Sequence, residues 1–218
     1  MNKTELAYYG NYAEILQNIE VMMLNELNEI ISQISEDIGY SPVEHIRSRI
    51  KSADSVQSKL RRLNKGTDVH AAIEELSDII GIRVIAHFVG DVYSIAEKIQ
   101  SSSCWNVIQI KDYISHPKEN GYRSLHIILQ FPIDFSLSDG TQTKYMNTEI
   151  QLRTIAMDCW ASLEHEIKYK KDIPNHNLIV NELKRCANEM ASTDLSMQTI
   201  HDMIYSESGR KEIESVIC

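Results

Sequence analysis

Residues 149–153, at the end of a predicted strand over 144–153, alternate between polar and apolar side chains, which is the pattern of a strand in a sheet. Successive side chains of a strand point to opposite faces, so Ile150 and Leu152 lie on one side and Glu149, Gln151 and Arg153 on the other. The apolar side requires a core, and the chain must therefore build a sheet. Three long polar side chains on the other face either line a site or meet solvent, as one face of an antiparallel sheet often does.

The remaining periodicities predict further strands and helices around this strand. Runs rich in β-branched and aromatic residues predict strands at 78–88, 105–114 and 127–133, and a turn at Ser138–Thr141 leads from the last of them to 144–153. Ser41–Pro42 is expected to cap and start the second helix, and Pro174 to end the fifth. Apolar residues three and four apart predict helices at 6–34, 42–64, 69–76, 91–100, 155–171 and 178–206. Strands and helices together predict an α/β protein.

A turn at Gly121 leads into the strand that contains residues 127–131 and brings Tyr122, Arg123 and His126 together at its start. An aromatic ring, a guanidinium and an imidazole in one place suit a flat, phosphorylated ligand. The same residues are compatible with a polar loop that has a surface tyrosine and a capping histidine. The stretch alone does not decide between the two.

Basic residues are concentrated in one segment of an acidic chain. The net charge is −9, and residues 1–43 hold one lysine against seven acidic residues, whereas residues 44–66 hold seven basic residues against two acidic ones. This segment indicates a local anion site more than a long nucleic-acid footprint, with a solvated basic helix face as the alternative. On the predicted second helix, one stripe able to hold a polyphosphate is formed by Lys51, Ser55, Lys59 and Arg62, with Arg49 beside it.

Arg83 lies inside an otherwise apolar run, and Asp78 stands at the entrance of the same predicted strand. A buried guanidinium is costly unless an anion pairs with it. Arg83 therefore either makes a structural ion pair or faces a ligand, and the pattern leaves both open.

The chain has no apolar run that approaches the roughly 20 residues needed to span a bilayer, and residues 1–5 lack the form of a signal peptide. Its four cysteines are widely separated, with no CxxC pair, which is typical of reduced thiols rather than of a disulfide or zinc framework. We therefore expect a cytoplasmic protein.

Five motifs follow one another in the chain: Arg49–Lys51 with Ser55 and Lys59, Asp78–Arg83, Lys111–Ile114, Asn120–His126, and Glu149–Thr154 followed by Trp160–His165. In this order they resemble the synthetase domain of RelA/SpoT enzymes over about residues 42–171. A chain of this length with helices at both ends resembles the stand-alone small alarmone synthetases.

The resemblance implies transfer of the β,γ-pyrophosphate of ATP to the 3′-hydroxyl of GDP or GTP, giving ppGpp or pppGpp. It implies a nucleotidyltransferase-like fold, with a mixed sheet of about five strands flanked by helices and with helical extensions at both ends. It also implies a Mg²⁺ ion held by Asp78 and Glu149, with Glu149 activating the 3′-hydroxyl.

The same resemblance assigns the residues that bind the two substrates. The ATP side is implied to consist of Arg49, Lys51, Ser55, Lys59 and Arg83, with Arg62 lying on adenine. The acceptor side is implied to consist of Tyr122, which stacks on guanine, with Lys111, Lys118, Asn120, His126, Gln151 and Arg153.

We expect three parts in the chain: an N-terminal helix (1–41), the synthetase domain (42–171) and a C-terminal helical segment (172–218). The apolar stripes of the terminal helices predict a homo-oligomer, and the resemblance implies a homotetramer. Nothing like the family's hydrolase domain precedes residue 42, and His201–Asp202 lies in the last helix without partner ligands, so no hydrolase activity is expected.

Two functions of other kinds are compatible with parts of the pattern. A nucleotide- or RNA-binding regulator could keep the pocket without catalysis, although such a binder gains little from Asp78 and Glu149. Another nucleotidyltransferase would share the metal chemistry but not the 120–126 motif. The preference for GDP or GTP, and regulation by RNA or by an alarmone, stay open.

Overall fold

The computed structural model describes residues 1–137, 140–169 and 176–217. Its helices are α1 (Lys3–Tyr9), α2 (Tyr12–Ile38), α3 (Ala53–Arg62), α4 (Val69–Glu75), α5 (Val89–Ser101), α6 (Ile155–Tyr169) and α7 (His176–Ile217). Its strands are β1 (Val43–Ile50), β2 (Ile80–Ala86), β3 (Asn106–Asp112), β4 (Leu125–Leu137) and β5 (Gly140–Thr154).

A five-stranded sheet in the order β1-β2-β5-β4-β3 forms the centre of the fold. β2 and β5 run parallel, and the other neighbouring strands are antiparallel. The sheet is therefore mixed, and helices precede, separate and follow its strands. This arrangement confirms the α/β fold with a mixed sheet of about five strands.

One face of the sheet is apolar and shares a single core with α2, α4 and α5. Ile82 and Val84 on β2, and Ile150 and Leu152 on β5, are at most 1% exposed. Each buried aliphatic side chain contributes about 1.5–3 kcal/mol, and a slip of one residue would turn this whole set towards the other face. The apolar face therefore fixes the register that positions the polar one.

The opposite face carries a polar row that crosses all five strands. Arg47 on β1 is paired with Arg83 on β2, which is paired with Gln151 on β5, followed by His126 on β4 and Lys111 on β3. Residues paired across neighbouring strands point to the same face, so these side chains lie side by side. The alternation of β5 thus predicted correctly which of its residues share a polar face.

The second predicted helix is wrong over residues 42–50. These residues lead into and form β1, which pairs with β2 at the edge of the sheet, and α3 begins only at Ala53. Ile46 and Ile50 are four residues apart, a spacing that places them on one side of a helix and also on one side of a strand. The expected cap, Ser41–Pro42, precedes a strand instead.

The terminal helices also differ in extent from the sequence prediction. Gly10, with φ of +52°, divides the N-terminal helix into α1 and α2. α7 is longer than the predicted 178–206. The predicted turn at Ser138–Thr141 falls partly outside the described residues, and the predicted helix end at Pro174 falls outside them. In the described parts of the chain, no helix is long and apolar enough to cross a membrane.

Candidate active site

Two adjoining clefts open on the polar face of the sheet. Three residues, Arg49, Arg83 and Gln151, line both clefts, which therefore form one continuous site. The first cleft is further lined by Arg47, Ser48, Asp78, Gly81, Ile82 and Glu149. The second is further lined by Tyr122, Arg153, Ala161, Ser162, Glu164, His165 and Glu166.

Asp78 lies immediately before β2, where two lysines converge on its carboxylate. Lys51 Nζ donates to Oδ2 at 2.7 Å, and Lys59 Nζ lies 2.9 Å from Oδ1. Burial opposes ionisation of Asp78, but the two ammonium groups outweigh it and hold the pKa of the carboxyl below its usual value. The carboxylate is therefore charged, and it gathers two of the predicted ATP ligands at the first cleft.

A chain of hydrogen bonds joins Arg153 to Glu149. Arg153 Nη2 donates to the Tyr122 hydroxyl at 2.7 Å, this hydroxyl lies 2.8 Å from His126 Nε2, and His126 Nδ1 lies 2.9 Å from Glu149 Oε1. With the imidazole proton on Nδ1, every donor in the chain meets an acceptor. Both ring nitrogens are thus engaged within the protein, so His126 connects Tyr122 with Glu149 instead of presenting a free nitrogen to the acceptor.

The carboxylate of Glu149 is held from both sides. Its Oε2 accepts a hydrogen bond of 2.6 Å from Gln151 Nε2, while His126 contacts Oε1. Burial opposes ionisation, but His126 and Gln151 outweigh it and lower the pKa of Glu149, and the negative charge of Asp78 acts in the opposite direction. Glu149 and Asp78 are therefore two charged carboxylates within electrostatic reach of each other.

Asp158, in the first turn of α6, bridges two arginines of the sheet. Its Oδ1 lies 3.1 Å from Arg83 Nη1 and 3.0 Å from Arg153 Nη1. Burial and the neighbouring charge of Arg153 lower the pKa of Arg83, while Asp158 favours its charged form. Arg83 makes a structural ion pair and also lines both clefts, so the ion pair is confirmed and a contact with a ligand stays a prediction.

The loop before β4 presents Tyr122 to the second cleft. Lys118 Nζ lies 4.5 Å from the ring centroid of Tyr113 and 4.9 Å from that of Tyr122. Asn120 Nδ2 donates to Glu164 Oε1 on α6 at 3.0 Å. These contacts fix the loop between β3 and α6 and bring the predicted acceptor residues Lys118, Asn120 and Tyr122 together.

Three predicted site residues lie outside both clefts and outside the contacts described above. Ser55 and Arg62 occupy exposed positions on α3 and line neither of the two clefts, and Ser55 accepts a hydrogen bond from Ser52. Lys111 is half-buried on β3, beside His126 in the sheet but outside both clefts.

Arg123 points away from the ligand face that the sequence suggested for it. Its guanidinium donates to the Ala187 carbonyl at 3.2 Å and to Asn188 Oδ1 at 3.1 Å, both on α7. Of the three side chains at the start of this strand, Arg123 therefore contacts α7, whereas Tyr122 and His126 contact each other.

Several residues of the site carried no assigned role in the sequence. Asp158 bridges the two arginines, Tyr113 contacts Lys118, and Ser124 Oγ accepts a hydrogen bond of 3.3 Å from Arg153 Nε. The position of Asp158, in the first turn of the helix that follows β5, could have indicated that its carboxylate lies near the arginines of the sheet. The partners of Tyr113 and Ser124 depend on strand pairing, which the local sequence does not specify.

Asp78 and Glu149 form a donor set that suits Mg²⁺. Both line the first cleft and both are charged, and Mg²⁺ commonly takes one or two carboxylates together with substrate phosphates. Among the residues described, no group of three or more His, Cys, Asp or Glu is arranged to hold a metal ion. The pair therefore fits an ion that shares its coordination with a nucleotide.

Comparisons of the sequence find relatives over most of the chain. The family model described as "Region found in RelA / SpoT proteins" matches residues 48–174. The chain is 39% identical over 170 residues to GTP pyrophosphokinase YwaC of Bacillus subtilis (strain 168), covering 75% of the chain and 78% of that relative. It is 32% identical over 189 residues to GTP pyrophosphokinase YjbM of the same organism, covering 87% of the chain and 84% of that relative.

Solved structures agree with these relatives. The small alarmone synthetase 1 from Bacillus subtilis bound to its product pppGpp is similar with a TM-score of 0.74 and 29% identity, covering 93% of this chain and 99% of that one. The small alarmone synthetase 2 from Bacillus subtilis is similar with a TM-score of 0.68 and 38% identity, covering 85% and 96%. The chain therefore belongs to the RelA/SpoT family.

Proposed function

We propose that this chain is a (p)ppGpp synthetase, which transfers the β,γ-pyrophosphate of ATP to the 3′-hydroxyl of GDP or GTP. The observation that carries the proposal is that two charged carboxylates, Asp78 and Glu149, line a cleft that continues into the cleft of Tyr122. A polyphosphate donor and a nucleoside acceptor fit side by side in such a site. The relatives named as GTP pyrophosphokinases and the related structure that holds pppGpp support the same function.

We assign ATP to the first cleft because cationic groups converge there. Lys51 and Lys59 meet at Asp78, and Arg49 and Arg83 line the same space. With Arg47, five positive groups surround this cleft and offset the negative charge of a triphosphate, and the arginines suit bidentate contacts with phosphate oxygens. Ser55 and Arg62, which lie on α3 and line neither cleft, stay proposed contacts of ATP, with Arg62 against adenine.

Mg²⁺ is assigned to Asp78 and Glu149, together with phosphate oxygens of ATP. When bound, the ion neutralises the negative charge of the transferring phosphates. The protein contributes the two carboxylates, already ionised, and the lysines that hold Asp78 in position.

The acceptor nucleotide is assigned to the second cleft, with guanine stacked on Tyr122. There the 3′-oxygen bonds to the β-phosphorus of ATP, the bond from this phosphorus to the α,β-bridging oxygen breaks, and AMP leaves. The proton of the 3′-hydroxyl passes to Glu149, whose carboxylate His126 and Gln151 hold in one orientation. The remaining acceptor contacts fall to Lys111, Lys118, Asn120 and Arg153.

The test is transfer of label between nucleotides. The purified protein is incubated with Mg²⁺, γ-labelled ATP and either GDP or GTP, and the nucleotides are separated. Label in a guanosine tetra- or pentaphosphate supports the proposal and ranks the acceptors. Label that stays in ATP, although both nucleotides bind, contradicts it and favours a binding regulator.

We further propose that the chain forms a homotetramer through its terminal helices, with 42–171 as the catalytic domain and 172–218 as an oligomerisation segment. Exposed apolar side chains on α7 support this assembly, with Leu195 67%, Met197 52% and Ile200 52% exposed. Contiguous exposed apolar surface commonly marks an interface between copies. Light scattering at the monomer mass across working concentrations would contradict it.

A further inference from the structure

The loop that carries Tyr122 rests on the C-terminal helix α7. Arg123 Nη1 donates to the carbonyl oxygens of Gly121 and Ala187, both at 3.2 Å, and Nη2 donates to Asn188 Oδ1 at 3.1 Å. One guanidinium thus ties the loop to itself and to two successive residues of α7. Ala187 and Asn188 lie more than 60 positions after Arg123 in the chain.

Gly121 allows this close approach between the loop and the helix. Its φ is +90°, a conformation that side chains strongly disfavour. A Cβ at this position would lie 2.6 Å from Ala187 Cβ and 3.3 Å from Lys184 Cα. Only a glycine therefore lets the residue directly before Tyr122 sit against α7.

The same stretch of α7 is anchored independently to the rest of the site. Trp160 Nε1 on α6 donates to the Leu183 carbonyl at 2.8 Å, and Thr154 Oγ1 at the end of β5 donates to Asp194 Oδ2 at 2.7 Å. α7 over residues 183–194 is therefore fixed to the strand and helix that line the second cleft. It provides a rigid support on which the loop can rest.

We infer that Arg123 is a positioning residue, and that α7 over residues 183–194 supports the acceptor site by holding Tyr122 in place through Arg123. This inference rests on the proposed function, because it takes Tyr122 as the base-stacking residue. Arg123 itself does not line the clefts. The described residues that line the first cleft lie on β1, β2, β5 and just before β2, so the loss of this contact should change GDP binding more than ATP binding.

The test compares Arg123→Ala and Asn188→Ala with Arg185→Ala in the full chain. Arg185 also lies on α7, and within the described part of the chain it forms ion pairs with Glu182 and Glu189, so its removal leaves the loop untouched. Asn188 is exposed and alanine is the better helix former, so Asn188→Ala keeps the fold even if Arg123→Ala does not. The readouts are the KM for GDP and for ATP, the Kd for GDP by calorimetry, and hydrogen exchange of the 118–124 amides.

We expect Arg123→Ala to raise the KM and Kd for GDP about tenfold, the change expected when charge-assisted hydrogen bonds are lost, with a smaller change in the KM for ATP. In Arg123→Ala the 118–124 amides should exchange faster. Asn188→Ala should change the KM and Kd for GDP and the exchange rates in the same direction but less. In the double variant, Asn188→Ala should add no further change to that of Arg123→Ala. The inference is overturned if Asn188→Ala and Arg123→Ala match Arg185→Ala, or if they change the KM for ATP and GDP alike.

Different results would contradict the role of Arg123 and the proposed function. If the wild-type chain binds GDP but makes no product, the proposed function fails, while the Kd and the exchange rates still decide whether Arg123 holds the loop. If product forms and neither the Kd nor the exchange responds to Arg123→Ala, only the inference fails.

Discussion

Nδ1 of His126 lies 2.9 Å from Oε1 of Glu149. Nε2 of the same ring lies 2.8 Å from the hydroxyl of Tyr122. One imidazole therefore joins the residue assigned to stack on the acceptor base with the residue assigned to take the proton of the acceptor hydroxyl. The position of the base and the orientation of the catalytic carboxylate are linked through this contact.

Removing the charge of either carboxylate should abolish most of the transfer. Glu149→Gln and Asp78→Asn each keep the shape of the side chain, and we expect kcat to fall by about 10²–10⁴-fold, the usual contribution of a positioned proton acceptor or metal ligand. Steady-state kinetics of the folded variants measures this. The control is Glu44→Gln, whose carboxylate pairs with His87 outside the clefts and should leave kcat unchanged. Wild-type turnover by either site variant would remove the assignment.

Two substitutions at Tyr122 separate stacking from the hydrogen-bond chain. Tyr122→Phe keeps the ring but loses the contacts to His126 and Arg153, so kcat should fall while the KM for GDP stays close to the wild-type value. Tyr122→Ala also loses the ring and should raise the KM for GDP at least about tenfold, since stacking of a base on an aromatic ring contributes about 1–3 kcal/mol. Equal KM values for GDP in the two variants would argue against stacking.

Acid should remove the stabilising contribution of Asp78. Its folded-state pKa lies below its usual value because the two lysines outweigh burial. The ionised form therefore stabilises the fold above the unfolded pKa of about 3.9, and this stability is lost as the pH falls through the lower folded value. Urea unfolding of wild type and Asp78→Asn should show a difference in free energy that shrinks as the pH falls below about 4. A difference that stays constant with pH would contradict the prediction.

Tyr9 should affect the ATP side from outside the region matched by the family model. Its side chain is fully buried and its hydroxyl donates to the Lys51 carbonyl, while the Lys51 amide donates to the Ile79 carbonyl at 2.8 Å. Tyr9→Phe removes one hydrogen bond, worth about 1 kcal/mol, and should raise the KM for ATP with little change for GDP. Tyr8→Phe is the matched control, because the Tyr8 hydroxyl bonds to the Thr67 carbonyl instead. If the two variants have the same KM for ATP, the hydrogen bond from Tyr9 to the Lys51 carbonyl plays no part in ATP binding.

The sequence predicted the central strand and its polar face because polar and apolar side chains alternate over residues 149–153, which is the period of a strand. The burial of Ile150 and Leu152 and the network around Glu149 and Gln151 follow directly from that alternation. β1 was mistaken for a helix because Ile46 and Ile50, four residues apart, share one side of a helix and also one side of a strand. Its pairing with β2 depends on residues 30 or more positions away, which the local sequence does not reveal.

The roles of His126 and Arg123 could not be predicted for a related reason. His126 meets Glu149 only because β4 and β5 pair in one particular register, and Arg123 meets α7 only after the chain returns from more than 60 residues further on. The resemblance assigned His126 to the acceptor side and gave Arg123 no role, although both lie in the 120–126 motif. The groups that they contact were set by tertiary structure.

The most direct test of the account is the stoichiometry of AMP and product in the complete reaction with ATP, Mg²⁺ and GDP. Transfer of pyrophosphate predicts one AMP for each ppGpp formed, no ADP derived from ATP, and loss of both products in Glu149→Gln. Formation of ADP in place of AMP, or equal amounts of ppGpp from wild type and Glu149→Gln, would contradict the central claim.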